Sequence, residues 1–110
     1  MEVKKAFVAH GVMFMRNQHI TPDQHIEFAE RWGDITVNCF FQAVASHPVI
    51  AEVCKEVYQK SNIGLSWHTD HSYDYVLAMG SILYSRAVPK VGGGTLFSKS
   101  MQPMTICLMA

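Results

Sequence analysis

Charge is scarce in this sequence. Only 16% of its 110 residues are Asp, Glu, Lys or Arg, against roughly 25% in an ordinary soluble domain. Neither sign is in excess, because nine Lys and Arg balance nine Asp and Glu. Phosphate binding wants clustered basic side chains, so this balance argues against nucleic acid as the main partner. It argues equally against a basic membrane-docking patch. Long hydrophobic runs are missing too. The longest charge-free stretch, Ile35 to Ala51, is broken by Thr36, Asn38, Gln42, Ser46, His47 and Pro48, whereas a membrane span needs about 20 mainly apolar residues. Lys4-Lys5 followed by Ala6 to Met15 is a poor signal peptide: His10 and Gly11 interrupt it, Arg16 ends it and no small-residue cleavage site follows. Cysteine is sparse and uneven. Cys39, Cys54 and Cys107 form neither a CxxC pair nor an even disulfide framework, which points to a reduced, cytoplasmic protein with three inert core thiols. No repeat, low-complexity tract or linker divides the chain.

What is present is apolar: 49% of the residues are hydrophobic. A domain of this size buries only about 60–70% of its unfolded surface. So apolar a chain therefore points to a core shared with a partner or with further sequence, and leaves room for a homo-oligomer. Val12 to Met15, within Gly11 to Met15, reads as a buried strand closed by Arg16-Asn17. Thr21-Pro22-Asp23-Gln24 is a helix start, with Thr21 as cap, Pro22 at the first helical position and Gln24 completing a capping box. His25, Phe28, Ala29 and Trp32 follow on one face and Gly33 stops the helix, predicting a span of Pro22 to Trp32. His25 on that face reads as a satisfied core histidine. Val49 to Tyr58 suits a helix by spacing and a strand by β-branched content. Trp67 to Tyr73 and Ser81 to Val88 read as strands, Pro89 to Gly94 as a turn, and Thr95 to Ser98 as the start of another strand. Tyr73, Tyr75, Tyr84 and the methionines read as core residues.

One segment could carry chemistry. In Trp67-His68-Thr69-Asp70, residues two apart on a strand share a face. His68 and Asp70 could then offer an imidazole nitrogen and a carboxylate oxygen to one ion, two-thirds of a facial triad of two histidines and one carboxylate. A bare His-x-Asp is as readily a hydrogen-bonded surface pair. Pro89-Lys90-Val91-Gly92-Gly93-Gly94-Thr95-Leu96-Phe97, alone, is a glycine-rich hairpin turn, and Met13 to Gln18 alone is a strand end.

Taken in order, these segments resemble the TauD/TfdA family of iron(II)- and 2-oxoglutarate-dependent dioxygenases. The likeness is carried by Gly11-Val12-Met13-Phe14-Met15-Arg16-Asn17-Gln18, Ile20-Thr21-Pro22, Phe28-Ala29-Glu30-Arg31-Trp32-Gly33, Trp67 to Asp70, Gly80-Ser81-Ile82-Leu83-Tyr84, and Pro89 to Phe97, and covers roughly residues 9 to 98. It implies a mainly β fold with flanking helices, an incomplete double-stranded β-helix or jelly roll of the clavaminate synthase-like kind. It favours strand over helix for Val49 to Glu56. It implies iron(II) as metal, with His68 and Asp70 as the first two ligands, and Thr95 as a contact of the 2-oxoglutarate carboxylate. The implied activity is hydroxylation of a small organic substrate by O2, with 2-oxoglutarate decarboxylated to succinate. No nucleic acid or membrane takes part.

The sequence departs from the family in three places. Gly-Gly-Gly-Thr stands where the family usually has Gly-Gly-Asp-Thr, so Gly94 removes a carboxylate beside the cosubstrate. Gly64 stands where a taurine-contacting asparagine would be, so taurine is not supported. No histidine follows His71 and no arginine follows Arg86, although the family's second iron histidine and its 2-oxoglutarate-binding arginine come far downstream. On a strand His71 would point away from His68 and Asp70. On this reading residues 1–110 are the N-terminal part of the dioxygenase domain, inactive and poorly stable alone. The competing reading is a catalytically inactive fragment or binding module of the same fold. A weaker one is a metallo-β-lactamase-like zinc hydrolase, suggested by His68-Thr69-Asp70-His71 but lacking the histidine that Ser66 replaces. From Met101 to Ala110 the family likeness stops. One back-translation of this tail, shifted by two nucleotides, reads Ala-Ala-Tyr-Asp-Asn-Leu-Ser-Asp-Gly, so a frameshift just before Met101 is expected. Sequencing the coding DNA checks it, and a shifted frame without a downstream histidine and arginine refutes it.

Overall fold

The structure, a computed structural model, describes residues 2–61 and 63–98. The tail Met101 to Ala110 and Cys107 lie outside the described residues. The chain forms two compact units, Met1–His19 with Ser85–Ala110, and Ile20–Tyr84.

The first unit begins with α1, Glu2–His10. Acidic Glu2 lies in its first turn and His10 in its last, as the helix dipole favours. Gly11 ends it: its φ of 76° is left-handed, and its N–H donates to the Phe7 carbonyl at 2.6 Å, a C-terminal cap that suits glycine. This helix corrects the expectation of an apolar stretch leading into a strand. Gly11 to Met15 is not a strand, and Phe14 and Met15 are exposed. Val3 and Ala6 of α1 line a shallow groove with Met13, Phe14 and Met15. Phe14 meets Phe97 edge-on at 5.9 Å. The strand expected over Thr95 to Ser98 is reduced to a single bridge at Phe97.

The second unit opens with α2, Pro22–Glu30. The capping box forms: the Gln24 N–H donates to Thr21 Oγ1 at 3.2 Å, and the Thr21 N–H donates to Gln24 Oε1 at 2.9 Å. Trp32 falls in the following turn, so the helix is shorter than its spacing predicts. Thr21→Ala is expected to destabilise this unit by about 1 kcal/mol while Thr21→Ser restores it; thermal unfolding followed by circular dichroism checks both.

The loop after α2 leads into a hairpin of β1, Gln42–Val44, and β2, His47–Glu52. The strands are antiparallel, pairing Gln42 with Glu52 and Ala43 with Ala51, and a bulge between Ala43 and Val44 brings Val44 opposite His47. β2 realises the first part of the strand expected over Val49 to Glu56, whereas β1 carries no sequence signal strong enough to predict. His47 ties the hairpin to α2, its Nε2 lying 3.0 Å from Asp23 Oδ1 and its Nδ1 2.7 Å from Ser46 Oγ. His25 donates from Nε2 to the Ile82 carbonyl at 3.1 Å and lies against Tyr84; it is satisfied, but only half-buried.

Two further expectations are corrected. Trp67 to Tyr73 is not a strand: Trp67 to Thr69 is irregular, Asp70 to Tyr73 is a turn, and His71 has a φ of 53°, incompatible with extended backbone. Ser81 to Val88 is irregular, because an extended segment without a partner leaves its backbone groups unpaired. The described part thus holds two helices and one hairpin.

No described residue is fully buried. Tyr73, Tyr75, Tyr84, Met15, Met79, Cys39 and Cys54, expected in a core, are exposed. The physical reason is that a two-stranded hairpin with one helix supplies no second layer to close over them. Exposed Trp67, Leu77, Leu83 and Val88 are expected to drive association. Apparent mass in analytical ultracentrifugation should rise with concentration; a constant monomer mass refutes this. None of the described helices is long and apolar enough to cross a membrane.

Candidate metal centre

His68 and Asp70 face each other across the turn that replaces the expected strand. His68 Nε2 lies 3.3 Å from Asp70 Oδ1, and both side chains are more than half exposed. The other imidazole nitrogen fixes the tautomer. His68 Nδ1 lies 2.7 Å from the Ser66 carbonyl oxygen, which can only accept, so Nδ1 carries the proton. In the neutral ring Nε2 then presents a lone pair to a carboxylate oxygen. Both atoms are electron-pair donors, and a cation placed between them would be held by both. Metal-bound histidines commonly donate their second nitrogen to a carbonyl in this way. Bonds of about 2.1 Å, as imidazole and carboxylate make to a divalent metal, set two donors at right angles about 3 Å apart. The pair therefore fits a metal ion.

Gly64 makes room for the imidazole. A Cβ built on it would stand 3.2 Å from His68 Cε1, and its φ of 73° is left-handed. The residue at the family's asparagine position here shapes the place of the histidine. Gly64→Ala is expected to cost about 1–2 kcal/mol from the backbone alone and to displace the ring, read as a shift of the His68 imidazole resonances.

His71 is turned to other partners. Its Nδ1 lies 2.8 Å from Asp74 Oδ2 and its Nε2 3.1 Å from Asn38 Nδ2. Thr69 Oγ1 donates to Ser72 Oγ at 2.6 Å, and the Asp74 N–H donates to the His71 carbonyl, closing the turn. Tyr73 lies against His71 and edge-on to Phe40. Its hydroxyl is held above the ordinary tyrosine range, by desolvation first and then by the negative charge of Asp74, Cys39 and Asp70, so it stays a neutral phenol. Asn38 and Asp74 lie in no motif, and Asn38 reaches His71 from 33 residues away; Ser66 takes part through its backbone carbonyl, which no side-chain pattern marks.

Thr95 belongs to the first unit and is exposed, whereas His68 and Asp70 belong to the second. The turn before Thr95 takes its left-handed residues at Gly92 and Gly93, with φ of 83° and 76°; Gly94 is not among them. Among the described residues no group of three or more His, Cys, Asp or Glu side chains is placed to hold a metal.

The family model described as taurine catabolism dioxygenase TauD, TfdA family, matches residues 1–102. The chain belongs to this family. Among curated TauD/TfdA relatives, an "(S)-phenoxypropionate/alpha-ketoglutarate-dioxygenase" of Delftia acidovorans is 30% identical over 84% of this chain and 35% of its own length. One of the same description from Sphingobium herbicidovorans is 29% identical over 89% of this chain and 35% of its own length. The chain thus spans about a third of these relatives. No solved structure matches it. TauD/TfdA membership implies a double-stranded β-helix, with which the two helices and the hairpin do not conflict.

Proposed function

We propose that the chain is part of an iron(II)- and 2-oxoglutarate-dependent dioxygenase that hydroxylates a small organic substrate, and that it supplies His68 and Asp70 to the iron and Thr95 to the cosubstrate. The observation that supports this best is the approach of His68 Nε2 to Asp70 Oδ1 at 3.3 Å, with the proton kept on Nδ1 by Ser66. Iron(II), when bound with 2-oxoglutarate, supplies the activation of O2 that oxidises the substrate. His68 keeps its Nδ1–H on the Ser66 carbonyl, so its ring holds one orientation. The Asp70 carboxylate brings the negative charge that favours a dication over a proton shared with His68. The Thr95 hydroxyl donates a hydrogen bond to a carboxylate oxygen of 2-oxoglutarate.

A second reading is favoured by one fact: no third ligand joins the pair among the described residues. On that reading the chain alone binds without turnover. Both readings are tested by anaerobic iron(II) competition against a chromogenic chelator, with and without 2-oxoglutarate, followed by succinate assay. (S)-Phenoxypropionate, in the names of both relatives, is the first substrate to try. Uptake of iron that tightens with 2-oxoglutarate supports the dioxygenase reading, and succinate release excludes the second. Iron left wholly with the chelator overturns the metal assignment.

A further inference from the structure

We infer that Asn38, His71 and Asp74 form a positioning relay that holds the Asp70 carboxylate on His68. The inference rests on the metal reading above.

The relay is defined by donors and acceptors that leave one arrangement. Asn38 Oδ1 accepts the backbone N–H groups of Phe40 at 2.8 Å and Phe41 at 3.2 Å. Its amide group is thereby fixed by its own loop, and Nδ2 is the atom turned to His71 Nε2 at 3.1 Å. An amide nitrogen only donates, so Nε2 accepts and the imidazole proton sits on Nδ1. That proton is donated to Asp74 Oδ2 at 2.8 Å. Every member is satisfied in one direction, and reversing any one would leave two donors or two acceptors face to face. The His71 and Asp74 side chains are less than a third exposed, unlike His68 and Asp70.

The backbone shows what the relay restrains. His71 has a φ of 53°, a conformation that non-glycine residues adopt uncommonly and that its surroundings must hold in place. This torsion sets the plane of the Asp70–His71 peptide relative to the His71 Cα, from which the ring projects. Holding the ring between Asn38 and Asp74 restrains that Cα, and with it the peptide that joins it to Asp70. A second contact closes the same gap independently, Phe40 meeting Tyr73 edge-on at 6.0 Å. The loop before β1 and the ligand turn are thus joined twice, once by polar and once by aromatic groups. His71 acts through Asp70 and is a positioning residue.

The test is Mn2+ titration of the 110-residue chain, read as paramagnetic broadening at His68 and Asp70 by NMR, with circular dichroism reporting the helices and hairpin. Long-range 15N spectra report which imidazole nitrogen of His71 carries the proton. Asn38→Ala and Asp74→Ala are expected to weaken Mn2+ by about 10- to 100-fold, as loss of an outer partner does, and to release His71 into mixed tautomers. Asp74→Asn is expected to stay within a few-fold of wild type with the proton on Nδ1, because its amide oxygen still accepts. If Asp74→Asn is as weak as Asp74→Ala, the aspartate acts by charge and the relay is overturned. Wild-type affinity in both alanine variants also overturns it. Should an alanine variant lose its circular dichroism signal, Asp74→Asn decides alone, about tenfold weakening counting against the relay. Absence of broadening at His68 and Asp70 in the wild type overturns the metal reading beneath it, an outcome distinct from broadening that the variants leave unchanged.

Discussion

Replacing His68 or Asp70 by alanine is expected to abolish iron(II) binding and, wherever turnover is measurable, succinate release. Removing an outer partner of a metal ligand typically costs about 10–100-fold in affinity or activity, and removing a ligand itself costs more. The two variants should fail alike, because each leaves a single donor from this pair. Asp70→Asn is the sharper probe, since its amide keeps an oxygen near His68 Nε2 but loses the charge that favours a dication. Chelator competition under anaerobic conditions measures all three. Iron affinity at the wild-type level in either alanine variant would remove the pair from the metal site.

Thr95→Ala is expected to weaken 2-oxoglutarate by about ten- to a hundredfold and leave iron(II) affinity in its absence unchanged. A hydrogen bond to a charged carboxylate is worth roughly 1.5–3 kcal/mol, and every 1.4 kcal/mol is about tenfold in binding. Thr95→Ser should restore most of the loss because it keeps the hydroxyl. Isothermal titration of 2-oxoglutarate into the metal-loaded protein reads the effect. A drop in iron affinity with an unchanged 2-oxoglutarate constant would assign Thr95 another role.

The parts of this structure that were legible in the sequence are the local ones. The capping box of α2 needs only Thr21 and Gln24, three residues apart, and forms as its chemistry dictates. β2 finds its partner in β1, ten or fewer residues away. What was illegible depends on distant groups or on the absence of a layer. Trp67 to Tyr73 has the composition of a strand, yet its course is set by a His71–Asn38 contact spanning 33 residues. His68 and Asp70 do face each other, through a turn rather than through strand alternation. The aromatic and sulfur-containing side chains looked like a core by composition, but composition does not say whether a second layer covers them. The helix α1 was hidden by Gly11, which reads as part of an apolar strand until its left-handed φ marks it as a cap.

The backbone at Gly94 carries a consequence of a different kind. Its neighbours Gly92 and Gly93 sit in the left-handed region, where a side chain is strained, but Gly94 does not. No left-handed torsion demands glycine there. An aspartate placed at Gly94 would meet no left-handed torsion to strain it. Tolerance to a side chain thus changes within one tripeptide: Gly92 and Gly93 hold torsions that only glycine takes without strain, and Gly94 does not.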